Sequence, residues 1–377
     1  MIKIAPSKTN SKVILVYCSV VPYSYPPHYR ISFVKQLSKH FNVVFIDLPS
    51  NKHYKRLSEA FHFYYYLVRT FFRFTHSFLW EYYSFKKFNY ISLYFYLNIL
   101  KFFKKKRILL YTTSGYFDVI YRYIPFNKSI FDCPDIHDGE FQSNNNWLKK
   151  YDLIFSNTDA VRVNLNQYNT QVKLISSGYL KKPTYRFHSK KIPNSVLFLG
   201  GISQRIDYEM LEKIIAEIPK ANFYFAGDVY LNKYYSESGD NQRLKKWKRI
   251  LKYPNTHYLG SLSKSKLQTL LPYFKIGVIP YKSTDVFNLY SNPIKLYDYL
   301  SYGMYVISTP LINISNLSQP LPVNICYSSD EFVKKIASLL AKPSTDILKY
   351  KNSVSKLLSN QSMEKKVSQV LKLLRFP

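Results

Sequence analysis

The densest set of chemistry-bearing residues in this chain is YKSTDVFNLYSNPIKLYDYLSYGMYVIST, residues 281–309, which follows a short apolar run ending at Pro280. Pro293 suits the first position of a helix, because its missing N–H is not needed there. The start of a helix offers free N–H groups and a positive dipole, a ready site for phosphate. Lys295, in that first turn, opposes the dipole but is well placed to meet a diphosphate. Asp298, one turn later, could accept hydroxyls from a ribose. The plain alternative is an amphipathic helix with a solvent-facing lysine.

Two further segments carry polar groups at the ends of apolar runs. In residues 196–228, VLFLGGISQRIDYEMLEKIIAEIPKANFYFAGD, Gly200 and Gly201 permit close backbone approach to a ligand. Arg205 follows and could neutralise a phosphate. In residues 131–140, FDCPDIHDGE, four candidates could take a proton from a hydroxyl: Asp132, Asp135, His137 and Asp138. Asp135 is favoured. Each could equally cap a helix or pair with one of the many lysines. The loop PYSYPPHYR, residues 22–30, lacks the Gly-x-Gly-x-x-Gly fingerprint, which argues against dinucleotide binding in the first half. His28 and Arg30 are read as structural before they are read as anion contacts.

The elements that must position these groups alternate. Residues 12–17, 42–48, 107–112, 129–133, 151–156 and 172–176 read as buried strands, with a helix expected at 31–40. Residues 177–195, basic and proline-containing, read as a linker. The alternation then restarts, with strands expected at 196–199, 222–226, 256–259, 276–279 and 305–308. Helices are expected at 208–218, 263–271, 294–301, 331–340 and 346–374. Strand–helix–strand units imply parallel sheets with helices on both faces. The expected organisation is a first domain over residues 1–185, a second over 186–345, and a C-terminal helix over 346–377 returning toward the first. Residues 54–103 are aromatic and basic. They read either as ordinary helices against the sheet or as an amphipathic surface for an anionic bilayer.

Composition narrows the partners. The 377 residues carry 54 Lys and Arg against 23 Asp and Glu, a formal charge of +31. That excess usually implies nucleic acid, an anionic membrane face or phosphate-bearing ligands. Only ten glycines accompany the abundant Lys, Asn, Ile, Phe and Tyr, a pattern of codon usage, so nucleic acid is not inferred. Cys18, Cys133 and Cys326 lack metal-site spacing, and a reducing cytoplasm is expected. No secretory leader or spanning helix is read from the sequence.

Residues 291–309 resemble the donor-binding region of bacterial glycosyltransferases of the GT-B fold. There a segment like NP-x-K-x-Y-E-Y-L-A-x-G-x-P-V-V-S-T follows a strand ending in Ile-Pro. Asn292, Pro293, Lys295, Tyr297, Asp298, Tyr299, Leu300, Gly303 and Val306 stand in matching places. Residues 195–309 match well, with Phe225, Gly227, Tyr258, Leu259, Gly260 and Pro280 in order. The first half matches in strand rhythm and in YDLIFSNTDAV. The resemblance implies two Rossmann-like doubly wound domains facing a cleft. Ser291, Asn292 and Lys295 would contact the diphosphate, Tyr281 the donor, and Asp298 would replace the family's ribose-contacting glutamate. Tyr290 stands where the retaining branch has its other glutamate, which leaves the stereochemical outcome open.

The subgroup most resembled is that of xanthan-type glucuronosyltransferases. It implies an inverting enzyme, peripheral to the membrane, with an aspartate base in the first domain. The expected activity is transfer from a nucleotide sugar, a UDP-sugar first, to a lipid-linked or glycan acceptor of a cell-surface polysaccharide such as a capsule or exopolysaccharide. No metal and no cofactor are expected, since the nucleotide sugar is itself a substrate. The alternatives are a GT-B-fold nucleotide-sugar epimerase, which needs no acceptor, and a non-catalytic membrane or nucleic-acid binder.

Overall fold

The structure is a computed structural model. It describes residues 12–19, 29–47, 82–84, 97–99, 101–102, 105–115, 117, 121, 126–133, 145–179, 184–230, 240–317 and 320–374. The acid loop beyond Cys133, the loop before Tyr29 and nearly all of the aromatic segment 54–103 lie outside these residues.

Near-continuous apolar runs such as VILVYCS cannot alternate inside and outside, so they form strands covered on both faces. In chain order the first domain has β1 (Val13–Ser19), β2 (Asn42–Asp47), β3 (Tyr82–Ser84), β4 (Arg107–Thr112), β5 (Lys128–Cys133), β6 (Leu153–Ser156) and β7 (Val172–Leu174). They pair in the order β3-β2-β1-β4-β5-β6-β7, all parallel. The second domain has β8 (Ser195–Leu199), β9 (Asn222–Ala226), β10 (Thr256–Gly260), β11 (Ile276–Ile279), β12 (Tyr305–Ser308) and β13 (Val323–Ile325). These pair as β10-β9-β8-β11-β12-β13, again all parallel. In each sheet the strand order reverses beside the first strand, at β1/β4 and β8/β11. Open α/β sheets place ligands outside the strand C-termini at such a switch point.

Helices α1 (Tyr29–Leu37) and α2 (Asp159–Leu165) flank the first sheet. The second domain carries α3 (Tyr208–Glu217), α4 (Asp240–Ile250), α5 (Lys264–Leu270), α6 (Val286–Tyr290), α7 (Ile294–Ser301), α8 (Ile312–Ser315) and α9 (Ser329–Ala341). Side-chain caps start several of them: Asp207 accepts from Met210, Ser263 from Lys266 and Ser328 from Glu331.

The single helix expected over 346–374 is divided. A 3₁₀ turn (Ser344–Tyr350) leads into α10 (Lys351–Asn360), and α11 (Met363–Leu373) begins anew with Ser362 as its cap. The division has a packing reason. Ile347, Val354 and Leu358 belong to the second domain's core, whereas Met363, Val367, Val370 and Leu374 belong to the first's. The apolar face must change direction between Leu358 and Met363, and the chain breaks there.

One layer of the first core is aromatic. Phe45, Tyr17, Tyr111 and Phe155 form a run of rings across β2, β1, β4 and β6, with centroids 5.7, 4.9 and 6.1 Å apart. Between Tyr111 and Phe155 stands Asp132 of β5, paired in register with Phe155.

Candidate functional site

The second domain gathers most of the sequence-predicted residues at the C-terminal ends of β8 and β11. Lys295, in the first turn of α7, is buried. Its ammonium lies 3.8 Å from the ring centre of Phe198 in β8 and 4.7 Å from that of Tyr281. It has no hydrogen-bond partner among the described residues. Burial lowers its pKa, the Tyr281 hydroxyl opposes that shift, and the charge of Arg205 adds to it.

Arg205 follows the glycine loop. Its Nε donates to the carboxamide oxygen of Asn288 at 2.7 Å. Its guanidinium lies 4.4 Å from the Tyr281 ring centre and 4.5 Å from that of Phe287. Nη2 is buried without a partner among the described residues. Tyr281 therefore sits between two cations. Burial pushes its hydroxyl up, but Lys295 and Arg205 together bring it below the ordinary tyrosine value.

Gly200 makes room for this arrangement. A side chain there would place Cβ 3.1 Å from Lys295 Nζ, and its φ of +119° is left-handed territory open to glycine. Gly227, at the end of β9, has its missing Cβ 2.1 Å from the Gly200 carbonyl, so the two loops meet through bare backbone. Gly201 lies against the Tyr230 ring.

No side chain caps α7, whose N-cap is Pro293. Its first-turn N–H groups are therefore met by no capping side chain. Just before it, the Ser291 hydroxyl donates to the Asn288 carbonyl at 2.8 Å, and the Asn292 carboxamide oxygen accepts from Tyr297 at 2.7 Å. Asp298 follows Lys295 by three residues on the same face, half-buried.

Asn288 escaped the sequence as a support, and Tyr299 is matched there without a role. Asn288 is fully buried; it holds Arg205 and also donates to the carbonyls of Arg205 (3.1 Å) and Lys282 (3.0 Å). Its only local signal is Asp285 three residues earlier, whose carboxylate accepts from the Asn288 N–H. Tyr299 accepts from Leu199 N–H at 2.7 Å and donates to the Val278 carbonyl at 3.3 Å, tying α7 to β8 and β11. Gly277 leaves space for its ring, because a Cβ there would lie 2.3 Å away.

The expected base loop divides. Asp132 is built into a buried ion pair: Oδ2 accepts from Lys366 Nζ at 2.8 Å and from Tyr111 at 2.5 Å. Asp135, His137 and Asp138 lie outside the described residues. Tyr290 packs on the first domain's cluster of Phe131, Leu148 and Val161, so the position of the family's other glutamate serves contact between domains.

A buried lysine and a half-buried arginine, each with an unused donor, an uncapped helix start and a bare-backbone loop can hold a doubly charged anion. Two parallel, doubly wound domains joined this way make the GT-B fold. A glycosyltransferase from Rickettsia africae ESF-5 superposes on it with a TM-score of 0.65 at 10% identity, covering 97% of this chain and 98% of that one. A trehalose-6-phosphate protein from E. coli, solved with UDP-2-fluoro glucose bound, superposes at 0.62 with 12% identity over 96% and 98%. In sequence, the chain is 23% identical over 240 residues to a Bacillus subtilis (strain 168) protein named as a teichuronic acid biosynthesis glycosyltransferase, TuaH. That match spans 56% of this chain and 57% of the relative, so it covers little more than half of either. No family model matches the sequence. Among the described residues no helix is long and apolar enough to cross a membrane.

Proposed function

We propose that this chain is a glycosyltransferase that moves a sugar from a nucleoside-diphosphate donor, a UDP-sugar, to a lipid-linked or glycan acceptor of a cell-surface polysaccharide. One observation carries the reading: Lys295 Nζ and Arg205 Nη2 are both buried, both without a partner among the described residues, and both set around Tyr281. A buried cation without a counter-charge costs stability. Such a cost is retained where a ligand supplies the missing charge. A diphosphate supplies it, with Ser291, Asn292 and the start of α7 as further contacts and Asp298 turned to the ribose. Its charge is met by side chains and backbone, so the proposal gives no role to a metal.

The donor's phosphates leave with the sugar's bonding electrons, and the same cations that bind them stabilise that departing charge. The acceptor hydroxyl must lose a proton, and the proposal assigns this to the loop carrying Asp135, His137 and Asp138, with Asp135 first. The name of the Bacillus subtilis relative supports a polysaccharide product, and the UDP-2-fluoro glucose of the E. coli structure supports the choice of nucleotide. In this reading residues 54–103 are where the first domain meets an anionic inner membrane face.

Calorimetric titration with UDP, GDP and dTDP tests the proposal. One nucleotide is expected to bind at least tenfold more tightly than the others. Equal or absent binding of all three overturns it.

A further inference from the structure

The chain crosses between the domains twice, once between β7 and β8 and again at Gln361 and Ser362. The two crossings are tied together. The Ser176 hydroxyl donates to the Ser362 carbonyl at 3.1 Å, and Gln369 Oε1 accepts from the Ser176 N–H at 2.8 Å. Gln361 Oε1 accepts from both the N–H and the hydroxyl of Ser177. Beyond the second crossing, α11 rides with the first domain.

Apolar packing alone does not fix α11 along that domain. Its apolar contacts, Met363, Val367, Val370 and Leu374, recur once per turn. A slide of one turn, about 5.4 Å, would keep apolar against apolar. Lys366 cannot slide. Its ammonium reaches Asp132 at 2.8 Å and lies 4.8 Å from the Phe33 ring centre. Its stem is held from the side by Gly178, where a Cβ would come within 2.9 Å of Lys366 Cδ and where φ is +68°. The pair is poorly satisfied for its burial: Asp132 Oδ1 and the neighbouring Tyr17 hydroxyl have no partners among the described residues. A buried pair of that kind specifies geometry better than it stabilises.

The next residue carries the geometry onward. Tyr179 accepts from Asn157 Nδ2 at 3.0 Å, and its ring meets Tyr29 of α1 at 4.8 Å. Its other side meets Tyr297 at 6.0 Å, on the helix that bears Lys295. Tyr297 in turn holds Asn292. Contacts therefore run without a gap from Asp132 through Lys366, Gly178 and Tyr179 to the anion site.

We infer that Asp132 and Lys366 are a positioning pair, which fixes the register of α11 on the first domain and so the angle at which the anion site faces that domain. The kinetic part of this inference rests on the transferase reading above; the structural part does not.

Lys366→Met alone strands a buried carboxylate and can unfold the chain, so the test uses the double variant Asp132→Asn/Lys366→Met, which removes both charges. Three measurements are made on it and on the wild type: nucleotide affinity, turnover with donor and acceptor, and small-angle scattering with hydrogen exchange of the α11 amides. The expected result is nucleotide affinity unchanged within twofold, kcat down at least tenfold, and a changed scattering curve with faster exchange in α11. Lys366→Arg, which keeps a charge for Asp132, is expected to recover most of the turnover. A folded double variant with wild-type kcat and scattering overturns the inference. If the wild type binds no nucleotide, the transferase reading fails alone, and scattering and exchange still decide the pair: unchanged curves sink it.

Discussion

Lys366 and Lys295 are both buried beside aromatic rings, and what meets their charge differs. Lys366 has a carboxylate waiting for it, brought from 234 residues away in the chain. Among the described residues Lys295 has the faces of two aromatic rings, the Tyr281 hydroxyl and a second cation nearby, and no ion-pair partner. Ring faces attract a cation, but they do not accept its hydrogen bonds. The first lysine is therefore complete within its own chain. The second is complete only when an anion arrives. The contrast separates a charge used to assemble the fold from a charge held ready for a ligand, and each lysine can be made to report on it.

The largest effect is expected at the completed pair. Lys366→Met leaves Asp132 buried and uncompensated and should cost about 3–5 kcal/mol of stability, read by urea denaturation. A loss below about 1 kcal/mol would mean that the pair is solvated and the contrast false. Lys295→Met should do the reverse in the absence of ligand. Removing an unpaired buried cation should leave the midpoint unchanged or raise it, while nucleotide affinity falls about 10–100-fold, the worth of one charge-assisted contact. A destabilised variant with intact affinity would break the comparison.

The same lysine predicts a pH dependence of definite sign. Its folded-state pKa is depressed by burial below the ordinary 10.5. In the window between the folded value and 10.5 the unfolded chain holds more protons, so its contribution to stability rises with pH there. Any thermal advantage of Lys295→Met over wild type at neutral pH should therefore shrink as pH approaches 10.5. A gap that widens would contradict the assignment.

Smaller effects sharpen the picture. Asn288→Ala frees Arg205 and leaves the Lys282 carbonyl without its donor; a loss of about 1–3 kcal/mol is expected, with a fall in nucleotide affinity. Tyr297→Phe removes one bond to Asn292. It should weaken nucleotide binding only severalfold, in line with about 1 kcal/mol. If Tyr297→Phe matched Lys295→Met in effect, the anion would be held by the loop and not by the lysine.

The sequence made the second domain far more legible than the first. Apolar runs such as VLFL and IGVI announce their strands by composition, Gly200 and Gly201 stand at a strand end, and the NPIK segment stands at a helix start, both places where a ligand site is expected. What it hid was contact across distance. Asn288 and Arg205 are 83 residues apart, and nothing in either neighbourhood names the other. Asp132 looked like a cleft carboxylate because an acid at a strand end is a natural base. Only the arrival of Lys366 from the last helix shows that its Oδ2 is already engaged. The continuous helix expected over 346–374 failed for a similar reason. Helical spacing persists through Gln361, but the core that the apolar residues face changes there, and spacing carries no information about which core. Short edge strands such as VNI at β13 were missed because three residues give no period to read.

The division of the C-terminal helices has a consequence for how the molecule comes into being. The first domain leaves the ribosome before the second, yet Met363, Val367, Val370 and Leu374, which complete its core, are made only after the second. Domains usually fold in order as they emerge. Here the first must wait, incomplete, until synthesis of the second has ended. Loss of the chain from Met363 onward would therefore injure the first domain although it leaves the second whole.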